Sequence, residues 1–510
     1  MSLDTFLLLL TPTLPLAAAL LAPWASRPLR WLPWAAVPGL VTAFAVPPGT
    51  ALELPPWLLG SAVGLDATGA LFLGLCGGLW TAAGLFAQGY LAGKPRERSF
   101  CVFWQLTLAG SLGACLAEDV VGFYICFALL SLAAYGLVIH ERSEASLGAG
   151  RVYIVLAVFG EVALLLGLLL GAHAAGSIRI DAVRSALAAG PWTDAAVLGL
   201  LLGLGLKAGL FPLHAWLPLA HSAAPVPASA VLSGALVKAG ILGLLRLLPM
   251  DASLPHWGTV LMWLGLATVY GGVVLGVTQR QAKAVLAYST MSQMGLLVAL
   301  LGAGMAGAEG LLPAAQLHAL HHGLAKGALF LSVGLLALTG PGARRVVLVV
   351  AALLGASMAG LPLTGGALAK MAAKAPMGEG LAASMAAWAA AGTLLLVIRF
   401  LQLAREQAPA GAGRVPATVV AGFALLALAA AAVPPVWSLA IGGPAPAESF
   451  SPGALAAAAG PLVVGGILGL LAWRTADALP RVPVGDMAAW AAGPGSSAKS
   501  PSHRDHPCTG

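Results

Sequence analysis

Runs of about twenty apolar residues recur from one end of the sequence to the other, and that recurrence limits what the chain can become. A soluble domain carries about 25% charged residues; here only 9% are Asp, Glu, Lys or Arg, against 59% hydrophobic. Spans of this length match the apolar core of a bilayer crossed by helices. A β-barrel would instead alternate polar and apolar residues in segments of about ten. The reading is an all-α polytopic membrane protein with about 14–15 transmembrane helices.

Along the chain, spans are expected near 3–22, 32–47, 69–91, 99–117, 120–139 and 152–171. Two more lie within Gly203–Leu248, and the rest fall near 257–277, 282–304, 311–338, 346–376, 382–403, 416–438 and 453–473. Residues 3–22 have no basic stretch before them and read as a first span, not a cleavable signal peptide. Residues 48–68 are rich in Pro and Gly and read as a non-spanning loop. An amphipathic segment is expected over 177–190, and the polar tail loses order from about Gly493. Basic residues collect in alternate loops, among them Arg27, Lys94, Arg96, Arg142, Arg280, Arg344 and Arg405. By the positive-inside rule this places the N-terminus out and the C-terminus in. The net charge of +7 is accounted for by these loops and does not point to nucleic acid.

Spans 4–8 and 9–13 form two sets of five. An odd number reverses direction, so the second set is expected to be an inverted copy of the first. The divisions are 1–98, a first repeat 99–248, a second 257–403, C-terminal spans 404–475 and a tail 476–510. Span 7, with Lys207 and Pro212, and span 12, with Leu361-Pro-Leu-Thr-Gly-Gly366 and Lys370, read as broken helices 7 and 12. A broken helix frees backbone groups that must line a cavity or meet water. The bland reading of LPLTGG is a plain loop between two shorter spans.

Ionisable groups deep in spans are Glu161, Lys207, Lys238, His318, His321, His322, Lys326 and Lys370. A lysine at mid-membrane costs about 2.5–3.5 kcal/mol on insertion scales, so such residues mark function by default. The alternative is that carbonyls satisfy them or that they snorkel, as expected for Lys374. Spread over successive spans, they suit a proton relay better than one substrate site. Burial disfavours the ammonium form, and a carboxylate that approaches and withdraws would switch a lysine between holding and releasing a proton. Glu161 is the natural partner for Lys207. His322 and Lys326 are four apart, on one helix face. His318 and His321 read as inter-helix hydrogen bonders, Arg246 as an interface anchor, and Ser289, Ser292 and Gln293 either hold water or bond between helices. Of five cysteines, Cys76, Cys101, Cys115 and Cys126 lie in spans as packing, and Cys508 in the tail; none has metal-ligand spacing. No nucleotide or iron–sulfur motif is present, so no cofactor or metal is expected and redox energy would come from partner subunits.

The stretch KAGLFPLHAWLPLAHSAAPVPASAVLSGALVKAGILGLLR closely resembles the signature of the antiporter-like membrane subunits of complex I, the proton-pumping NADH:quinone oxidoreductase, shared with Mrp cation/proton antiporters and membrane-bound hydrogenases. GLDATG, RQAKAVLAYSTMSQMGLL and HALHHGLAKGALFLSVG support it, over about residues 60 to 400. The resemblance implies two half-channels joined by a polar axis. It makes Lys207 the central lysine of span 7, Lys238 the connecting lysine, His322 and Lys326 the span 11 pair, and Lys370 the ionisable residue of span 12. It also implies a bacterial-type inner membrane and other membrane subunits as partners, with no catalysis by this chain alone. Where the family has a span 5 Glu, this sequence has Ala128; its acidic positions after span 7 are Leu219 and Ala223. Glu161 is the expected replacement. The alternatives are an Mrp-like Na+/H+ antiporter component, a proton-conducting partner of an inorganic-carbon uptake complex, and a structural subunit that no longer conducts.

Overall fold

The computed structural model describes residues 2–54, 60–250, 253–407 and 414–485. The expected loss of order near Gly493 and Cys508 fall outside them. The chain opens with α1 (Leu3–Leu21) and a short α2 (Val37–Ala45). Pro28, Pro33 and Pro38 recur every five residues ahead of and within that second span. Each removes an i→i−4 hydrogen bond, so the segment before α2 forms two 3₁₀ turns instead of a full helix.

The expected loop contains an antiparallel hairpin, β1 (Thr50–Leu54) with β2 (Ser61–Leu65), in register from Thr50 opposite Leu65 to Leu54 opposite Ser61. It is fastened by buried Asp119, which accepts from Ala62 N at 2.9 Å, Gly122 N at 2.7 Å and Ser61 Oγ at 3.2 Å. Next come α3 (Ala67–Tyr90), α4 (Glu97–Leu116), α5 (Val120–Val138), α6 (Glu144–Ala175) and the amphipathic α7 (Ile180–Ala186). Arg179, just before α7, pairs with Glu53 and Glu118 at 3.3 and 3.6 Å.

Span 7 is two pieces, α8 (Thr193–Ala208) and α9 (Trp216–Ala223). Span 8 is α10 (Val226–Val231), one π-helical turn over Leu232–Leu236, and α11 (Val237–Leu247). The remainder are α12 (Pro255–Val277), α13 (Ala282–Met305), α14 (Leu311–Leu338), α15 (Pro341–Ala359), α16 (Gly365–Met377), α17 (Leu381–Gln407), α18 (Ala417–Ala440) and α19 (Pro452–Arg474). Thirteen helices among the described residues are long and apolar enough to cross a membrane. The two expected spans that fall short are span 2, broken by prolines, and span 7, broken at Gly209.

Burial is uneven, and that positions the site. Span 8 and α13 are buried along their whole length and α14 nearly so, whereas α1, α18 and α19 present most of their apolar side chains outward. The polar residues of α13 and α14 therefore face protein, not lipid. Glycines let the central helices touch. A Cβ on Gly240 would lie 2.4 Å from Leu204 O and 2.9 Å from Ala208 N, and one on Gly203 2.5 Å from Leu164 Cβ. Gly240→Val is expected to lower the thermal midpoint in detergent, at an overpacking cost of about 1–3 kcal/mol. Gly148→Val, whose Cβ meets nothing within 4 Å, should leave the midpoint unchanged.

After α19 the chain returns to the turn between α12 and α13. Arg280 lies 3.8 Å from Asp477, and Gln279 Nε2 donates to Val482 O at 3.5 Å.

Candidate functional site

Lys207 sits in the last turn of α8. Gly209 adopts a left-handed φ of 80° and ends the helix, its N–H bonding back to Leu206 O and that of Leu210 to Gly205 O. The lysine is therefore at the negative end of a half-helix, where a cation is favoured. Trp216 Nε1 crosses the break to donate to Leu206 O at 2.8 Å. Lys207 Nζ donates to Ser131 Oγ at 2.6 Å and Tyr153 OH at 3.3 Å, and Tyr153 OH donates to Ser131 O at 2.7 Å. The rings of Tyr153, Trp216 and Phe127 surround the ammonium at 5.4, 5.6 and 5.8 Å.

Glu161 is not in direct ion pairing with Lys207. The carboxylate is buried, lies within electrostatic reach of Lys207 and close to Ser131, and keeps Oε2 without a hydrogen-bond partner among the described residues. The direct partner is Ser131, which reasoning from the sequence misses. It lies one helical turn beyond Ala128 on α5, on the same face. Its only signal is a lone hydroxyl in the run Phe127–Gly136, otherwise apolar apart from Tyr135.

A second cluster lies between α11 and α14. Lys238 Nζ is 2.6 Å from His322 Nδ1 and donates to Ser233 O at 2.6 Å. That carbonyl is five residues back, inside the π-helical turn; such turns break the regular ladder and recur at functional sites. Ser233 Oγ in turn bonds Thr290 Oγ1 at 2.7 Å on α13. Lys326 is buried one turn beyond His322, within the electrostatic reach of both His322 and Lys238. Two buried lysines so placed repel each other when both are charged.

Towards α16 the row continues. His321 Nε2 bonds Ser357 Oγ on α15 at 2.8 Å, the inter-helix bond expected of it. His318 differs from expectation: neither ring nitrogen has a partner among the described residues, and its ring stacks on His322 with centroids 6.5 Å apart. Lys370 Nζ donates to Ala359 O at 2.6 Å, at the end of α15, where Gly360 turns the chain with φ 96°. Lys207 and Lys370 thus both lie beside a helix end closed by a left-handed glycine, Lys207 in the last turn of its own helix and Lys370 bonded to the last carbonyl of another. The Gly-Gly of LPLTGG is sterically required: a Cβ on Gly366 would sit 1.7 Å from Ser357 O, and one on Gly365 2.6 Å from Pro434 Cβ. A cavity of about 680 Å³ adjoins Lys370, bounded by Lys374, Glu379, Ser451 and small residues of α17 and α19.

Of the polar residues of α13, Gln293 bonds Thr393 on α17 at 3.0 Å, while Ser292 Oγ has no partner among the described residues. No group of three or more His, Cys, Asp or Glu among the described residues could hold a metal.

These features define a multi-pass α-helical membrane protein with clusters of buried, mostly basic groups in its interior. The chain belongs to the family described as NADH:quinone oxidoreductase/Mrp antiporter, transmembrane, which matches residues 117–399. It is 34% identical over 245 residues to hydrogenase-4 component B of Escherichia coli K12, covering 46% of this chain and 36% of that protein. It is 34% identical to NADH-quinone oxidoreductase subunit N of Desulforudis audaxviator, over 55% of this chain and 56% of that one. To a Na(+)/H(+) antiporter subunit of Alkalihalophilus pseudofirmus it is also 34% identical, over 62% of this chain and 43% of that one. The chain thus spans between about a third and just over half of these relatives. Among solved structures, the Mrp complex from Dietzia sp. DQ12-45-1b superposes with a TM-score of 0.77 at 24% identity, over 97% of this chain and 59% of that one. The archaeal membrane-bound sulfane sulfur reductase superposes at 0.71 and 25% identity, over 82% and 74%.

Proposed function

We propose that this chain is the proton-translocating membrane subunit of a complex I-like assembly, working beside other membrane subunits. Protons move along Glu161, Lys207, Lys238, His322, Lys326 and Lys370. The observation that carries the reading is the Lys238–His322 bond across α11 and α14, together with Lys207 bonded to Ser131 at the end of α8 and Lys370 bonded to the last carbonyl of α15. Family membership and the named relatives, which include respiratory and antiporter subunits, support it. Residues 99–248 and 257–403 act as inverted repeats, each with its broken helix. The matching glycine-capped ends at Gly209 and Gly360 favour that symmetry. The membrane is read as a bacterial-type inner membrane, and the basic loops support an orientation with the N-terminus out and the C-terminus in. In that orientation the cavity beside Lys370 serves the outer side.

The antiporter relatives raise sodium as the alternative ion. Hard cations are held by several oxygen ligands. The row offers one carboxylate, Glu161, among lysines and histidines, which favours the proton. In vesicles containing the chain with its co-purifying partners, a pH-sensitive dye should report the same initial proton flux in sodium chloride and in choline chloride. A flux that vanishes without sodium would reverse the choice of ion. Lys370→Ala in the same vesicles is expected to cut the flux at least tenfold, by removing the group that meets the cavity; flux within twofold of wild type would take Lys370 off the path.

A further inference from the structure

We propose that the Ser131 hydroxyl, held by Tyr153, is the group through which a proton passes between Lys207 and Glu161. The inference rests on the proposed proton function and adds residues to it. Ser131 is buried and accepts the 2.6 Å bond from Lys207, the lysine's shortest contact. Glu161 is buried close to the same hydroxyl, with one oxygen unpartnered among the described residues. Tyr153 donates to the Ser131 carbonyl at 2.7 Å and accepts from Lys207 at 3.3 Å, so it fixes lysine and serine relative to each other.

A serine hydroxyl both donates and accepts, which a carboxylate alone does not. Rotation of Glu161 towards Ser131 completes a three-member chain. The Lys207 ammonium then gives a proton to Ser131 Oγ as Ser131 gives its own to Glu161. One N–H and one O–H bond break, two O–H bonds form, and ammonium plus carboxylate become amine plus carboxylic acid. Charge is neutralised without moving either backbone. Withdrawal of Glu161 opens the chain and leaves Lys207 as a neutral amine, ready to take the next proton. Tyr153 is a positioning residue here, and Ser131 the carrier. Ala128 fits this role: that turn of α5 carries no carboxylate, and the hydrogen bond from Lys207 to α5 goes to the hydroxyl one turn on.

The test is proton flux in vesicles of the intact chain with its partners, for wild type, Lys207→Ala, Ser131→Ala and Ser131→Thr. Ser131→Ala is expected to lose at least tenfold and Ser131→Thr, which keeps the hydroxyl, to stay within twofold. Ala128→Glu added to Ser131→Ala should recover flux by supplying a carboxylate on the same face; a double variant that stays inactive marks Ser131 as packing and overturns the assignment. If Ser131→Ala does not fold, Ser131→Cys keeps the volume with a weak hydrogen-bonding thiol, and flux equal to Ser131→Thr counts against the proposal. Lys207→Ala separates two failures. Flux lost in Lys207→Ala but kept in Ser131→Ala overturns this inference alone. Flux unchanged in Lys207→Ala overturns the proposed function and this inference with it.

Discussion

Lys207→Ala is expected to abolish proton flux, leaving at most about one hundredth of the wild-type rate, the scale on which a single positioned proton donor acts. The reason is local. Lys207 is the cation at the end of α8, with Ser131, Tyr153 and three aromatic rings arranged around it. Removing it leaves the aromatic cage and the Trp216–Leu206 bond in place, so the broken span keeps its shape. The folded fraction, read by monodispersity in detergent, should match wild type. Lys207→Arg sharpens the test. A guanidinium keeps the charge and the donors but does not release its proton. If Lys207 works only as a fixed charge, Lys207→Arg conducts; if it passes protons, Lys207→Arg is as inactive as Lys207→Ala. A conducting Lys207→Arg would sink the relay.

The fold class can be read from the sequence because apolar runs of membrane length report their solvent directly. The exceptions each have a residue-level cause. Span 2 is short because three prolines forbid its first turns. The loop over 48–68 hides a hairpin because its strands are five residues each and are held by Asp119, a contact made far along the chain. The lysines of the row can be found because a cation is costly in an apolar span and therefore stands out. Their partners cannot. Ser131 and Ser233 act through one hydroxyl and one carbonyl, and neither residue type is unusual in a transmembrane helix. Glu161 stands out in the sequence because it is acidic, yet packing sets it across a hydroxyl from Lys207 and not against it. The π-helical turn that turns Ser233 O towards Lys238 has no sequence mark at all.

Arg246 is the clearest case of a charge whose role depends on tertiary contacts, and its loss should carry the largest stability effect. At the end of span 8 it reads as an interface anchor, but it is buried. Its guanidinium donates to Ala114 O at 3.1 Å, Cys115 O at 2.8 Å and Ala117 O at 3.0 Å, the last carbonyls of α4, and pairs with Asp66 at 2.8 Å. Asp66 in turn caps α3 through Gly69 N. One side chain therefore ties together the ends of α3, α4 and α11 beneath the hairpin. Burial raises the neighbouring Glu118 carboxyl above its usual range, opposed first by Arg246 and reinforced by Asp66. Arg246→Ala leaves three helix-end carbonyls without a donor and is expected to cost about 3–5 kcal/mol. The check is the thermal midpoint of the detergent-solubilised chain. Arg246→Lys should recover only part of the loss, because one ammonium cannot reproduce a planar fork aimed at three carbonyls and a carboxylate. Lys374→Ala, at an exposed position, should leave the midpoint at the wild-type value. If Arg246→Ala melts with wild type, the C-terminal end of α4 is held by something other than this guanidinium, and the placement of α5, with Ser131 on it, does not depend on Arg246.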